Sequence, residues 1–185
     1  INESLNSLKS IRHRGPDGEG VVLINTLSGN YRVYNTKETP IDFRSLSNNN
    51  LLNYNLLLGH RRLKIIDLSN QAHQPMSFNN NWISYNGEIY NYLELKEELI
   101  SNGYKFSSSS DTEVVLKAYD CWGENCLNKF NGMWSFVIWD NKKKSIFTSN
   151  DRFGVKPLYY YKSTDTIIYS SEIKQFTFFN EIDFS

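Results

Sequence analysis

The chain has 185 residues, with 20 Lys+Arg against 20 Asp+Glu. That length suits one ordinary domain, and 39% hydrophobic with 15% aromatic residues supplies a core and excludes wholesale disorder. Zero net charge offers no general field for nucleic acid or an anionic membrane, and no apolar run approaches the roughly 18 residues that a membrane span needs.

Leu5, Leu8 and Ile11 recur at helical spacing, so residues 1–11 are predicted to form a helix. The same stretch has neither a basic n-region nor an apolar h-region, and no secretory signal is expected in it. RHRGPDGEG at 12–20 reads as a turn, with Pro16 at its second position and Gly18 relieving the exit. Strands are predicted at 20–27 and 31–35, joined through Ser28-Gly29-Asn30. Residues 36–53 read as a polar loop with its tip at 45–50. Further strands are predicted at 55–59, 63–67 and 82–86.

Two helices follow. The first covers 92–102, capped by Asn91 with Glu94 in a capping-box pattern and ended by Gly103. The second covers 112–122, opened by Ser110 or Asp111 and stopped by Gly123. Strands return at 133–140, 145–150, 157–161 and 166–171, with Asn141-Lys142 and Ser163-Thr164-Asp165 as hairpin connections. Strands, two helices, then strands again indicate an α+β fold rather than a regular βαβ alternation.

Cys121 and Cys126 are near enough in sequence to pair, but nothing else suggests a disulfide scaffold. Neither lies in a CxxC pair, and His13, His60 and His73 are scattered, so no metal site is expected. A reducing, cytoplasmic setting is the default.

Four segments concentrate polar chemistry: RHRGPDG at 12–18, GHRRLKIIDLS at 59–69, SYNGEIYNY at 84–92 and SSSSDTEVV at 107–115. Each also has a purely structural reading. Asn86-Gly87 after a strand is a strong hairpin-turn signal. Asp111 at a helix start reads as a cap. Arg61 and Arg62 beside a strand read as a solvated face.

The ordered series is more specific than its parts. RHRGPDG, HRRLKIIDLS, NGEIYN, SDTEV, NGMWSFVIWD, DRFGVKPLYY and SSEIK follow one another over residues 12–174. This series closely resembles the N-terminal glutaminase domain of glutamine-hydrolysing asparagine synthetases, the class II glutamine amidotransferases among the N-terminal-nucleophile hydrolases. The resemblance implies a four-layer αββα sandwich of two antiparallel sheets, and hydrolysis of the glutamine side-chain amide to glutamate and ammonia.

It also implies roles for particular residues. Arg62 should hold the α-carboxylate of glutamine, for which a planar guanidinium fork is well suited. Backbone groups of Leu63, Lys64, Ile65 and Ile66 should line the same pocket. Asn86, through its side-chain amide, and Gly87, through its backbone N–H, should form the oxyanion pair. Asp111 should bind the α-ammonium, with Glu88 flanking it.

The resemblance further implies a Cys nucleophile at a mature N-terminus, with its own α-amine as base. Ile1 has no nucleophilic side chain, and the RHRGPD turn comes about 16 residues early for that pattern. Residues 1–185 therefore read as an N-terminally truncated type-2 amidotransferase domain, expected to be inactive as written. A C-terminal ATP-dependent synthetase domain is the implied partner, so ATP and magnesium are expected there and not in these residues. No nucleic-acid or membrane partner is expected, and oligomeric state stays open. Two alternatives remain: a related amidotransferase with another ammonia acceptor, and a non-catalytic glutaminase-like scaffold.

Overall fold

A computed structural model describes residues 1–36, 38–39, 53–63 and 70–183. The elements, in chain order, begin with α1 (Asn2–Ser10), β1 (Gly18–Ile24), β2 (Tyr31–Val33) and β3 (Leu56–Arg62). The short strand β4 (Met76–Phe78) and the long strand β5 (Asn81–Ile89) follow. Next are α2 (Tyr92–Ser101), α3 (Asp111–Trp122), β6 (Gly132–Asp140) and β7 (Ser145–Asn150). The last strands are β8 (Tyr159–Lys162) and β9 (Ile167–Ser170). Among the described residues the strands form an antiparallel sheet ordered β2-β1-β3, a second ordered β4-β5-β6-β7, and a β8-β9 ladder.

The period-two alternation of side chains stacks these pieces into layers. In β1, Val22 and Ile24 face the second sheet and pack with Leu58, Trp82, Val137 and Trp139. Val21 points the other way, onto Leu5, Leu8 and Ile11 of α1. The far face of the second sheet presents Ile83, Tyr85 and Ile89 of β5 and Phe136 and Ile138 of β6 to Leu99 and Val115 of α2 and α3. The order is helix, sheet, sheet, helix, as the resemblance implies. Each fully buried Val, Leu or Ile contributes about 1.5–3 kcal/mol relative to an exposed one, so three apolar interfaces fix the spacing of the two sheets.

Several expectations need correction. One strand spans Leu56–Arg62 where two were predicted, because all seven of its residues pair with Gly18–Ile24. Leu63 lies outside it, and 64–67 of the predicted second strand fall outside the described residues. Gly18–Gly20, read as turn, belong to β1. Asn86-Gly87 is no turn: both sit inside β5, opposite Ser135 and Trp134 of β6. The capping box at Asn91 is absent. Its side chain instead donates to the Lys129 carbonyl (2.9 Å) and accepts from the Asn131 N–H (3.0 Å), tying α2 to the entry of β6. β4 is a strand that the sequence pattern does not predict; the β4–β5 turn uses Asn79 and Asn80, both at positive φ (50° and 64°), the conformation a type I′ turn requires. Cys121 and Cys126 are free thiols.

Candidate active site between the two sheets

A cleft of about 830 Å³ opens between the sheets, bordered by β3, the second half of β5, the start of α3, and β9. Its chemistry follows from how β5 is hydrogen-bonded. The N–H of Trp134 donates to Asp151 Oδ2 (3.3 Å) and its carbonyl accepts from the Asp151 N–H (2.7 Å), both away from β5. Trp134 and Gly87 therefore form a non-hydrogen-bonded pair, and the Gly87 N–H points away from β6. On that side β4 pairs no further than Met76 opposite Ile83.

Side chains occupy the place of a further strand there. The Tyr85 N–H donates to Gln74 Oε1 (2.7 Å), and the Ile89 N–H donates to Asp111 Oδ2 (3.1 Å). Gly87 lies between them in the same row of donors, and its residue lines the cleft. Glycine is required here for packing: a Cβ would stand 2.4 Å from the Met133 carbonyl oxygen and 2.8 Å from Trp134 Cα.

Even-numbered side chains of β5 face the first sheet. Ser84 donates to the Gly59 carbonyl across the gap (3.0 Å). Asn86, half-buried, occupies the same face and lines the cleft. Glu88 comes next on that face, exposed at the cleft margin.

Asp111 is buried at the first turn of α3. It is not the cap, because Ser110 Oγ accepts the Thr112 N–H (3.1 Å). Its carboxylate is thus left to accept from the Tyr85 hydroxyl (2.6 Å) as well as from Ile89. Burial drives the Asp111 carboxyl above the usual carboxylate range, against the lowering effect of those donors. Burial and the neighbouring Asp111 likewise push the Tyr85 hydroxyl far up, keeping it a donor. Glu113, in the same motif, serves the fold instead. It accepts the N–H groups of Ser107 (3.0 Å) and Ser108 (2.7 Å), folding the serine-rich segment onto α3.

Arg62 ends β3 opposite Gly18, is buried, and shares the inter-sheet face with Leu58 by strand parity. It lines the cleft, as does exposed Leu63. Lys64, Ile65 and Ile66 lie outside the described residues. Arg61 projects to the opposite face. Its Nη1 pairs with Glu19 (2.9 Å) and Glu38 (2.8 Å), and its Nε donates to the Gly15 carbonyl (3.0 Å).

The solvated face expected for Arg61 is therefore wrong, since its side chain is 2% exposed. Arg61→Lys should therefore be felt by the fold. Losing the Nε bond to Gly15 should lower unfolding free energy by about 1–3 kcal/mol, and Arg61→Ala, which strands the buried Glu19 carboxylate, by about 3–5 kcal/mol. Denaturant titration of both variants checks this.

The remaining motifs converge on the same region. The GPDG turn lies against β3: the Asp17 N–H donates to the Arg62 carbonyl (3.0 Å), and a Cβ on Gly15 would fall 2.4 Å from the Arg61 carbonyl carbon. Glu172 of SSEIK meets Arg14 and His13, each at 3.3 Å. Asp151 of DRFG accepts the N–H groups of Phe153, Val155 and Lys156 at 3.0–3.1 Å.

Three residues that line the cleft have no role assigned to them by the motif series. His60 lies two positions before Arg62 on the same strand face. Burial first, then the charges of His73, Arg62 and Arg61, push its imidazole down to about 3, so it stays neutral. Tyr85 lies within SYNGEIYNY but Gln74 lies in no motif, and both act through contacts made only in the folded chain. Cys121 and Cys126 lie apart from all this, in the helical layer. Neither lines the cleft, and burial pushes the Cys126 thiol up to about 12.

A family model described as a glutamine amidotransferase domain matches residues 42–184. The chain is 42% identical over 200 residues to a putative glutamine-hydrolyzing asparagine synthetase 2 of Methanocaldococcus jannaschii, covering 99% of this chain and 33% of that protein. A glutamine-hydrolyzing asparagine synthetase 1 of Bacillus subtilis is 46% identical over 118 residues, covering 63% of this chain and 18% of that protein. Among solved structures, the glutamine phosphoribosylpyrophosphate amidotransferase of B. subtilis superposes with a TM-score of 0.71 at 24% identity, covering 92% of this chain and 39% of that one. That last likeness bears on the fold alone. The chain thus spans a third or less of the length of these two synthetase relatives.

Proposed function

Because the chain belongs to the glutamine amidotransferase domain family, we propose that the inter-sheet cleft binds glutamine and hydrolyses its side-chain amide, as the glutaminase half of a glutamine-hydrolysing asparagine synthetase. The observation that carries this reading is the row of donors on β5. Gln74 takes the Tyr85 N–H and Asp111 takes the Ile89 N–H, while the Gly87 N–H between them points away from β6 and its residue lines the cleft beside Asn86. Two donors placed together suit the oxyanion of a tetrahedral intermediate. Arg62 and Asp111, of opposite charge, border the same cleft and suit the α-carboxylate and α-ammonium of an amino acid. Arg62→Lys should accordingly raise the glutamine KM far more than it lowers kcat, because it weakens binding common to ground and transition states.

A thiolate attacking the amide carbon forms the C–S bond and places the negative charge on the oxygen facing Gly87 and Asn86. Collapse breaks the C–N bond, and the protonated nitrogen leaves as ammonia. Water then cleaves the thioester to glutamate and regenerates the thiol. Neither Cys121 nor Cys126 can serve, since neither lines the cleft. On this reading the nucleophilic thiol is supplied from outside residues 1–185. Among the described residues β3 is an edge strand of its sheet and β9 an edge of its ladder, and both border the cleft. In the full-length protein a synthetase portion, with ATP and magnesium, consumes the ammonia in amidating aspartate.

The test is glutamate and ammonia release from glutamine, with the 185-residue chain and the full-length protein side by side. The chain alone should release neither, and the full-length protein both. Turnover by the chain alone would refute the nucleophile assignment. A full-length protein without turnover would favour the non-catalytic scaffold.

A further inference from the structure

Gln74 is buried where β1, β5 and α3 meet. Its backbone is wedged against β1, where a Cβ on Gly20 would stand 2.0 Å from the Gln74 carbonyl oxygen. Its side chain reaches across the second sheet, accepting the Tyr85 N–H at 2.7 Å and donating through Nε2 to Thr112 Oγ1 at 3.2 Å. Thr112 adjoins Asp111 at the start of α3, and Tyr85 precedes Gly87 by two residues on the β5 edge.

We propose that Gln74 is a positioning residue for the Gly87 oxyanion donor: its carboxamide substitutes for the next strand, fixing the β5 edge against α3 so that the Gly87 N–H is aimed at the reacting carbonyl. This rests on the glutaminase reading above. The geometry separates two functions along one strand edge. Asp111 bonds the Tyr85 hydroxyl and the Ile89 N–H without touching the Gln74 carboxamide, so the amino-acid head group should remain held when that carboxamide is lost. Loosening Tyr85 moves the donor next along the edge, whose stabilisation is realised only as charge develops on the oxygen. Loss of Gln74 should therefore appear in kcat rather than in KM.

Gln74→Met removes both bonds at similar volume. In the full-length protein, kcat for glutamine hydrolysis should fall about tenfold to a hundredfold, the effect of a misaimed catalytic group. The glutamine KM should stay within about twofold, as expected for an interaction made only in the transition state. The Tyr85 amide should exchange faster with deuterium. Gln74→Glu, which still offers an oxygen to the Tyr85 N–H, should recover most of kcat. Unchanged kcat in Gln74→Met, a loss carried by KM, or an equal loss in Gln74→Glu would each overturn the proposal. Should Gln74→Met fail to fold, Thr112→Val removes only the anchor of the carboxamide, and kcat should still drop severalfold at constant KM; an unchanged kcat there overturns the proposal as well. Absence of glutamate release by the wild type would count against the glutaminase reading instead. The frame is then decided by amide exchange at Tyr85: faster exchange in the variant supports it, and unchanged exchange overturns it.

Discussion

Replacing Asn86 with alanine should slow glutamine turnover by about 10²–10³-fold, or about 2.7–4 kcal/mol, the usual cost of one oxyanion donor. The fold should barely register the change. Asn86 is a mid-strand residue paired with Ser135, and alanine preserves that ladder. Its half-buried side chain faces the open cleft rather than a packed core, so truncation leaves no sealed cavity. A residue with only a structural part would give the opposite pattern, lowering the melting temperature and sparing kcat. Melting and steady-state kinetics on one preparation distinguish the two.

Asp111→Asn should separate stability from binding even more sharply. Burial raises the Asp111 carboxyl above its unfolded value. Stability from such a group is present below the unfolded pKa and is lost as pH rises through the folded one. Above the raised pKa the ionised carboxylate therefore works against folding, and a neutral amide of the same shape relieves it. Asn Oδ1 can still accept from the Tyr85 hydroxyl and the Ile89 N–H, and Ser110 remains the helix cap. The melting temperature at neutral pH should hold or rise. Glutamine affinity should nonetheless fall by about 1.5–3 kcal/mol, the scale of a hydrogen bond to a charged group. A second signature is pH dependence. The wild-type KM should climb as pH drops through the raised Asp111 pKa, because the protonated acid no longer attracts an ammonium. In Asp111→Asn that climb should vanish. A KM unchanged by the substitution would remove Asp111 from the site.

The parts legible in the sequence are those fixed by local chemistry. Both long helices end at Gly103 and Gly123, which adopt positive φ, and the β6–β7 and β8–β9 hairpins lie where alternation and turn residues put them. Local signals failed where a distant partner outweighed them. Asn86-Gly87 carries the strongest hairpin dipeptide, yet eight ladder pairs with β6 hold it extended. Asn91 heads a capping-box pattern, but the approach of β6 claims its side chain. The charge of Arg61 is visible in the sequence, whereas Glu19 and Glu38, which neutralise it, are brought beside it only by the β1–β3 pairing and the segment after β2. Gln74 lies beyond any pattern reading, because a side chain that replaces a strand leaves no periodicity. The motif series grouped residues that no single position would link: Arg62, Asn86, Gly87, Glu88 and Asp111 all border one cleft.

The most direct measurement of the central claim is a crystal structure of the full-length protein with L-glutamine bound, its nucleophile replaced to prevent turnover. The predicted complex has the α-carboxylate on Arg62 and the α-ammonium on Asp111. Its side-chain carbonyl oxygen should point toward the Gly87 N–H and the Asn86 amide, with donor distances of about 2.7–3.1 Å to the place the oxyanion will occupy. Glutamine bound outside the inter-sheet cleft, or lying in it with its side-chain amide turned away from Gly87, would contradict the account.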